Sequence, residues 1–171
     1  MKKSPRIAVV CGGSSAEAEV SRVSGQSVAS ALRARFSDVT LIELDKCIAE
    51  KLRKAEIDIV FPILHGPPGE DGTFQGFLDI LELPYVGSGV RASACAMDKV
   101  VAKKIFRDAG LPVARDVAVH RRLGKSLAAK QVIETVGNDV VVKPSSQGSA
   151  IGVRFAKGFG EIEKALEQAF P

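Results

Sequence analysis

The chain has 171 residues, of which 46% are hydrophobic and 26% charged, with a formal net charge of +4 at pH 7; these values are typical of a globular protein with one or two domains. The 24 lysines and arginines are scattered and tryptophan is absent, so nucleic-acid binding has little support. The three cysteines show neither metal-ligand nor disulfide spacing, and no apolar run is long enough for a signal peptide or a membrane span, so we expect a cytoplasmic protein without a membrane partner.

The first half of the chain alternates apolar runs with amphipathic segments. This alternation predicts an α/β fold with a doubly wound parallel sheet. The predicted strands are 7–11, 39–44 and 57–64, and the predicted helices are 17–35, 48–54 and 73–81.

The first predicted helix has a mostly apolar face. We expect this face to cover the sheet. The spacing of Ser14 and Glu17 also matches a capping box at the start of the helix, which gives Glu17 a purely structural alternative role. The residues of the expected face are Val20, Val23, Val28, Ala31 and Leu32.

The pattern changes near residue 92, and we place a domain boundary at 96/97. Gly110-Leu111-Pro112 ends the second of two helical stretches after this change. The predicted helices are 92–97, 99–109, 126–136 and one from about Gly160, and the predicted strands are 116–120, 139–143 and 152–156.

The loop at residues 64–72, Leu-His-Gly-Pro-Pro-Gly-Glu-Asp-Gly, directly follows a predicted strand. Open α/β sheets bind ligands at the carboxyl ends of their strands, which makes His65 a candidate ligand-binding residue. A hydrogen-bonded loop histidine is the structural alternative. For Glu70 and Asp71 we favour structural roles, because adjacent side chains generally point apart and Asp71 can cap the next helix.

A second candidate loop, Ser145-Ser146-Gln147-Gly148-Ser149, follows the valine-rich strand that ends at Lys143. Backbone amides, hydroxyls and a lysine ammonium suit the distributed negative charge of nucleotide phosphates. Lys99, at a predicted helix start, is a second candidate. Exposed surface lysines are the alternative for both, and His120 is predicted to lie on the surface.

Taken in order, these segments resemble the D-alanine–D-alanine ligases of the ATP-grasp superfamily, almost continuously from Ile7 to about Gly152. No single motif is specific, but the ordered set is. The pieces are Val9 to Glu17, His65-Gly66, Gly69 to Thr73, Gln75-Gly76, Pro84-Tyr85, Gly87-Ser88-Gly89, Asp98-Lys99 and Val140 to Ser149.

The resemblance implies roles for individual residues. Glu17 is expected to bind the ammonium of the first D-alanine and to link to Ser149, both with catalytic roles, and His65 to lie near that amino acid's carboxylate. The expected ATP-binding residues are Lys99, Lys143, Gly148 and Ser149. Ala150 stands where the family usually has a second serine.

The resemblance also implies the domains and the reaction. Residues 1–96 correspond to a Rossmann-like pre-ATP-grasp domain and 97–171 to the first, incomplete part of an ATP-grasp domain. The family joins two D-alanines through an acyl phosphate for peptidoglycan synthesis, using ATP and Mg²⁺, usually as a homodimer. We expect the magnesium ligands beyond Pro171, and we expect the 171-residue chain, as an N-terminal portion, to be inactive alone.

Two alternatives stay open at this point. One is a sister ligase that uses D-lactate or D-serine as its second substrate. The other is a non-catalytic nucleotide-binding or assembly module.

Overall fold

The computed structural model of the chain describes residues 4–170. The chain divides into two units, Met1–Ala96 and Met97–Pro171. Their assignment as a pre-ATP-grasp domain and a partial ATP-grasp domain stays a prediction. Within the described residues, no helix has the length and apolar character needed to cross a membrane.

The described residues of the first unit form three strands and four helices, the last of which ends at Met97. Strands and helices alternate through its first six elements, as the sequence pattern predicts. The strands are β1 (Ile7–Cys11), β2 (Val39–Glu43) and β3 (Ile59–Pro62), and the helices are α1 (Ala18–Arg33), α2 (Ile48–Lys54), α3 (Thr73–Ile80) and α4 (Val90–Met97).

The three strands form a parallel sheet in the order β2–β1–β3, which confirms the predicted α/β class. Ile7 lies opposite both Val39 and Ile59. Because β2 and β3 lie on opposite sides of β1, the connections that leave from the two halves of the sheet separate at β1, which makes β1 the point where the strand order reverses. The loops that follow β1 and β3 therefore leave neighbouring strands at the same edge, where open α/β sheets bind ligands.

One hydrophobic core supports this sheet, and β1 is its most buried strand. Helices α2 and α3 contribute Leu52 and Leu78, both almost fully buried. The other buried members are Ala8, Val10, Ile42, Ile48, Ile57, Val60, Leu64 and Phe74.

The predicted apolar face of α1 is wrong in part. Val20 and Val23 are each 60% exposed, and Ala31 is exposed, while Val28 and Leu32 are half-buried. Small residues form the buried face instead, because α1 packs too closely on the sheet to admit larger ones. An ideal Cβ at Gly25 would lie only 2.5 Å from the Cβ of Cys11. The buried residues of α1 are Ala18, Ser21, Gly25 and Ala29.

The second unit has a separate core between a two-stranded sheet and two helices. Val140 and Val142 of β4 and Ala156 of β5 pack with α6 and α7. The strands pair antiparallel, with Val140 opposite Ala156. The elements are α5 (Lys99–Asp108), α6 (Lys125–Thr135), β4 (Asp139–Val142), β5 (Arg154–Lys157) and α7 (Gly158–Ala169), with a 3₁₀ turn at Arg121–Leu123.

The strand predicted at 116–120 does not form. Its alternating valines, Val117 and Val119, do pack against the second core, which explains the pattern. A strand also needs a ladder partner, however, and the sheet described for this unit contains only β4 and β5. The last strand also begins at Arg154 rather than at the predicted Gly152, because turns precede it.

Candidate functional site

Ser21 joins the ends of β1 and β3. Its side chain is fully buried, and its Oγ accepts a hydrogen bond from the Gly12 amide at 2.7 Å. The same hydroxyl donates to the Ile63 carbonyl. Two loop backbones that are distant in sequence are therefore fixed to one side chain of α1.

Ser15 makes a second bridge between the same loops. Its Oγ donates to the His65 carbonyl at 2.7 Å and accepts from the Glu17 amide at 3.2 Å. The structure thus brings together the two residues that the sequence singles out as amino-acid ligands.

Glu17 stands at the N-terminal end of α1, as predicted, but without the expected capping box. Its side chain makes no capping hydrogen bond, and Ser15 rather than Ser14 contacts its amide. The carboxylate instead lies beside the loop at residues 64–72. An ideal Cβ at Gly66 would be only 2.9 Å from Glu17 Oε2. Gly66 also has φ +68°, so glycine is required here both for conformation and for space.

His65 carries an unsatisfied nitrogen. Its Nε2 is buried and has no hydrogen-bond partner among the described residues. A buried polar atom without a partner costs free energy, and an ordered water, an ion or a ligand can supply the missing partner. His65 Nε2 is therefore a candidate contact for a polar group.

Glu70 and Asp71 have the structural roles that the sequence favours. Glu70 Oε2 accepts from the Gly66 amide at 2.7 Å, and Asp71 Oδ1 accepts from the Thr73 amide at the start of α3 at 2.9 Å. Gln75 Nε2 donates to the Gly69 carbonyl at 2.8 Å, which ties the loop to α3. These bonds hold the backbone around His65 in one conformation.

An ion pair supports the loop that follows β1. Arg22 of α1 binds Glu43 at the end of β2, with 2.7 Å between Nη2 and Oε1. Glu43 also accepts from the Gly13 amide at 3.2 Å. The Arg22 guanidinium, aided by this amide, lowers the pKa of Glu43 against the opposing effect of burial. The carboxylate is therefore kept ionised next to the Gly12–Gly13 turn.

In the second unit, Lys99 begins α5 as predicted, and Asp98 caps the helix by accepting from the amides of Val100 and Val101. The Lys99 ammonium lies against the loop after β4. Its Nζ donates to the Gln147 carbonyl at 2.5 Å and to the Ser145 carbonyl at 3.4 Å. The Lys99 amide donates to the same Ser145 carbonyl at 3.0 Å.

Lys143 is exposed and directly follows β4. Burial lowers the pKa of Lys99, and the nearby positive charge of Lys143 lowers it further. Asp98 opposes both effects. Two ammonium groups held close enough to repel each other favour a ligand that carries several negative charges.

The loop that carries Gly148 and Ser149 turns sharply. Ser149 and Ala150 have φ angles of 45° and 58°, in the left-handed region. The amide of Ile151 donates to the Gly148 carbonyl at 2.9 Å. The backbone groups of this loop that contact the Lys99 ammonium are the carbonyls of Ser145 and Gln147.

Sequence reasoning missed the residues that organise the site, namely Ser15, Ser21, Gln75 and the Arg22–Glu43 pair. A buried serine on a helix next to a strand end is the one signal that could have indicated Ser21. Ser15 and Ser21 each have one partner that is remote in sequence, 50 positions away for Ser15 and His65 and 42 for Ser21 and Ile63.

The fold defines an α/β protein of two units, with the candidate residues Glu17 and His65 in the first unit and Lys99, Lys143 and the loop at 145–151 in the second. Comparison with known proteins identifies the family. The family model described as D-ala D-ala ligase N-terminus matches residues 45–88, and the one described as D-ala D-ala ligase C-terminus matches residues 105–171. The chain belongs to the D-alanine–D-alanine ligase family.

Curated relatives carry the same name. The chain is 45% identical over 166 residues to a D-alanine–D-alanine ligase of Desulforudis audaxviator, covering 96% of this chain and 53% of that protein. It is 44% identical over 168 residues to one of Geobacter sulfurreducens, covering 98% and 52%. The chain thus spans about half the length of the curated relatives it matches.

Solved structures agree in fold. A D-alanine–D-alanine ligase from Bacillus anthracis superposes with a TM-score of 0.80 at 31% identity, covering 98% of this chain and 54% of that one. A D-alanyl-alanine synthetase A from Vibrio cholerae gives 0.82 at 26% identity, covering 99% and 56%.

Proposed function

We propose that the protein containing this chain is an ATP-dependent ligase that joins two D-alanine molecules into D-alanyl-D-alanine for peptidoglycan synthesis. The observation that carries this proposal is the Ser15 hydroxyl that joins the backbones of Glu17 and His65, together with a His65 Nε2 that is buried without a hydrogen-bond partner among the described residues. Family membership supports the same reaction.

The first D-alanine is a zwitterion and needs two opposite partners. The Glu17 carboxylate supplies the charge for its ammonium, and His65 Nε2 supplies a polar contact for its carboxylate. Hydrogen bonds to charged groups contribute roughly 1.5–3 kcal/mol each, which is enough to orient so small a ligand. The expected catalytic role of Ser149 stays a prediction.

Lys99, Lys143 and the loop through Gly148 and Ser149 bind the phosphates of ATP. The Lys143 charge, which adds to burial in lowering the pKa of Lys99, fits a polyphosphate, because negative charge on the ligand would offset it. Replacing Lys143 by alanine should therefore weaken ATP binding about tenfold, or ~1.4 kcal/mol.

A carboxylate is a poor electrophile, so ligation requires its activation. The carboxylate of the first D-alanine takes the γ-phosphoryl group of ATP and releases ADP, and the amine of the second D-alanine then displaces phosphate from the acyl phosphate to form the amide bond. The residues of this chain bind and orient the reactants, which is a large part of catalysis when two small molecules must meet.

Magnesium is part of the proposal, but none of its ligands is assigned to this chain. Within residues 4–170, no group of three histidines, cysteines or carboxylates could hold a metal ion. A cytoplasmic location and a homodimer also belong to the proposal. A D-alanine–D-lactate or D-alanine–D-serine ligase stays an alternative, since no residue described here distinguishes the second substrate.

The test is ADP release by the intact gene product that contains this chain, supplied with ATP, Mg²⁺ and D-alanine. We expect release that depends on D-alanine and yields D-alanyl-D-alanine by mass spectrometry. A mixed product when D-lactate or D-serine is added would favour a sister ligase. ATP binding without any D-alanine-dependent release would favour the non-catalytic module.

A further inference from the structure

We propose that Ser15 is a positioning residue that sets the separation between Glu17 and His65. One hydroxyl does this by bonding to the backbone of both residues, 2.7 Å from the His65 carbonyl and 3.2 Å from the Glu17 amide. A serine hydroxyl has one donor and two acceptor positions, so both bonds form at once.

The loop after β3 lies close to both Glu17 and Ser15. An ideal Cβ at Gly66 would lie 2.9 Å from Glu17 Oε2 and 3.5 Å from Ser15 Cβ. Alanine at position 15 would leave the His65 carbonyl and the Glu17 amide without the partner that they share. The two bonds therefore depend on the Ser15 hydroxyl.

Ser15 and Ser21 act at different depths. Ser21, fully buried, joins Gly12 to Ile63 where the strands end. Ser15 is half-buried and joins the next residues outward, which carry the candidate ligand groups. Ser21 therefore holds together the loops where β1 and β3 end, while Ser15 holds the backbones of Glu17 and His65.

This inference rests on the proposed function, because it concerns the first D-alanine. The distance between the ammonium and the carboxylate of an amino acid is fixed by its covalent structure. A change in the separation of Glu17 and His65 cannot be absorbed by the ligand, and misplacement by about 1 Å can cost roughly a hundredfold in rate. Loss of the Ser15 hydroxyl should therefore change amino-acid binding more than it changes folding.

The experiment compares Ser15→Ala with wild type in the intact gene product. We expect the KM for the first D-alanine to rise about tenfold, while the KM for ATP and the melting temperature stay near wild type. Ser15→Thr, which keeps the hydroxyl, should restore the KM. Ser14→Ala is the matched control, because it removes the adjacent, exposed hydroxyl, for which the described residues show no hydrogen bond.

A purely structural role would lower the melting temperature and the active fraction without changing the KM for D-alanine, and that result would overturn the proposal. So would a rise of less than about threefold in a folded Ser15→Ala protein, or an equal rise in Ser14→Ala. If Ser15→Ala does not fold, Ser15→Cys replaces it, since a thiol of similar size is a weaker hydrogen-bond donor. A wild type without D-alanine-dependent turnover would instead refute the proposed function itself.

Discussion

At the scale of single residues, a substitution of Glu17 can distinguish a structural role at the start of α1 from a role in ligand binding. It stands at the N-terminal end of α1 but makes no side-chain capping bond, so Glu17→Gln removes no capping bond from the helix. Glu17→Gln should therefore melt near wild type. It should nevertheless lose affinity for the first D-alanine by about one to two decades, because glutamine cannot supply the negative charge that an ammonium requires.

The measurements are thermal unfolding and the KM for D-alanine in the intact gene product. Glu19→Gln is the control, since Glu19 lies two residues further along, is exposed and pairs with Arg22. Unchanged D-alanine kinetics in Glu17→Gln would leave Glu17 as an ordinary residue at a helix end.

The pair Lys99 and Lys143 leads to a pH prediction. Burial and the Lys143 charge lower the pKa of Lys99, so Lys99 loses its proton at lower pH than an ordinary lysine does. ATP affinity should therefore fall as pH rises through this lowered pKa. Replacing Lys143 by glutamine removes the repulsion and should raise the pKa of Lys99 part of the way back, since the larger effect, burial, remains.

An NMR titration of the lysine ε-methylene signals, assigned with Lys99→Arg, measures this shift in the chain itself. Lys104→Gln is the control, because it removes a positive charge that is not among the causes acting on Lys99. An unchanged Lys99 pKa in Lys143→Gln would show that the two ammonium groups do not interact.

At the scale of elements, helix α1 packs on β1 through small residues. An ideal Cβ at Gly25 would lie 2.5 Å from Cys11 Cβ and 3.0 Å from its Sγ. Alanine is the better helix former, yet Gly25→Ala should lower the free energy of unfolding by about 1–3 kcal/mol, because overpacking outweighs propensity.

Gly160→Ala in α7 is the matched control, because an added Cβ there meets nothing within 4 Å. It should be neutral or raise stability by up to about 1 kcal/mol. Urea unfolding of both variants measures the two effects. Equal and small changes would mean that α1 can move away from β1 at little cost.

The elements also show which features a sequence can predict. Apolar runs located β1, β2 and β3, and Gly110-Leu111-Pro112 marked the end of α5, because these signals are local. The face of α1 was not predictable from hydrophobicity, since close packing favours Gly25 over valine. The segment 116–120 has the alternation of a strand, but no pattern within it can supply a partner.

The candidate site residues could likewise be predicted only where a local signal in the sequence indicates them. Glu17, His65, Lys99 and Lys143 were selected as candidates because their residue types suit the chemistry and the order of motifs resembles a family. Ser15 was not selected, because its contact with the His65 carbonyl depends on a loop 50 residues away. Residues that bind ligands are chemically distinctive, whereas residues that position them are recognised by what they touch.

At the scale of the whole molecule, the two kinds of candidate residue belong to different units. Glu17 and His65 lie in the first unit, and Lys99 and Lys143 in the second. Each unit has its own hydrophobic core, so each set of residues is held by its own scaffold. Damage to one core should therefore disturb one set of residues first.

Two buried side chains test this independence. Leu52 of α2 is 1% exposed in the first core, and Ile162 of α7 is 0% exposed in the second. Truncation of either to alanine should cost about 2–5 kcal/mol, from lost burial and from the cavity that remains. Since a cavity weakens the cooperative unit that contains it, Leu52→Ala should increase amide hydrogen exchange in β1, β2 and β3, and Ile162→Ala in β4, β5 and α6. Mass spectrometry of exchanged peptides measures both patterns, and increased exchange across both units in either variant would mean that the chain opens as a single cooperative body.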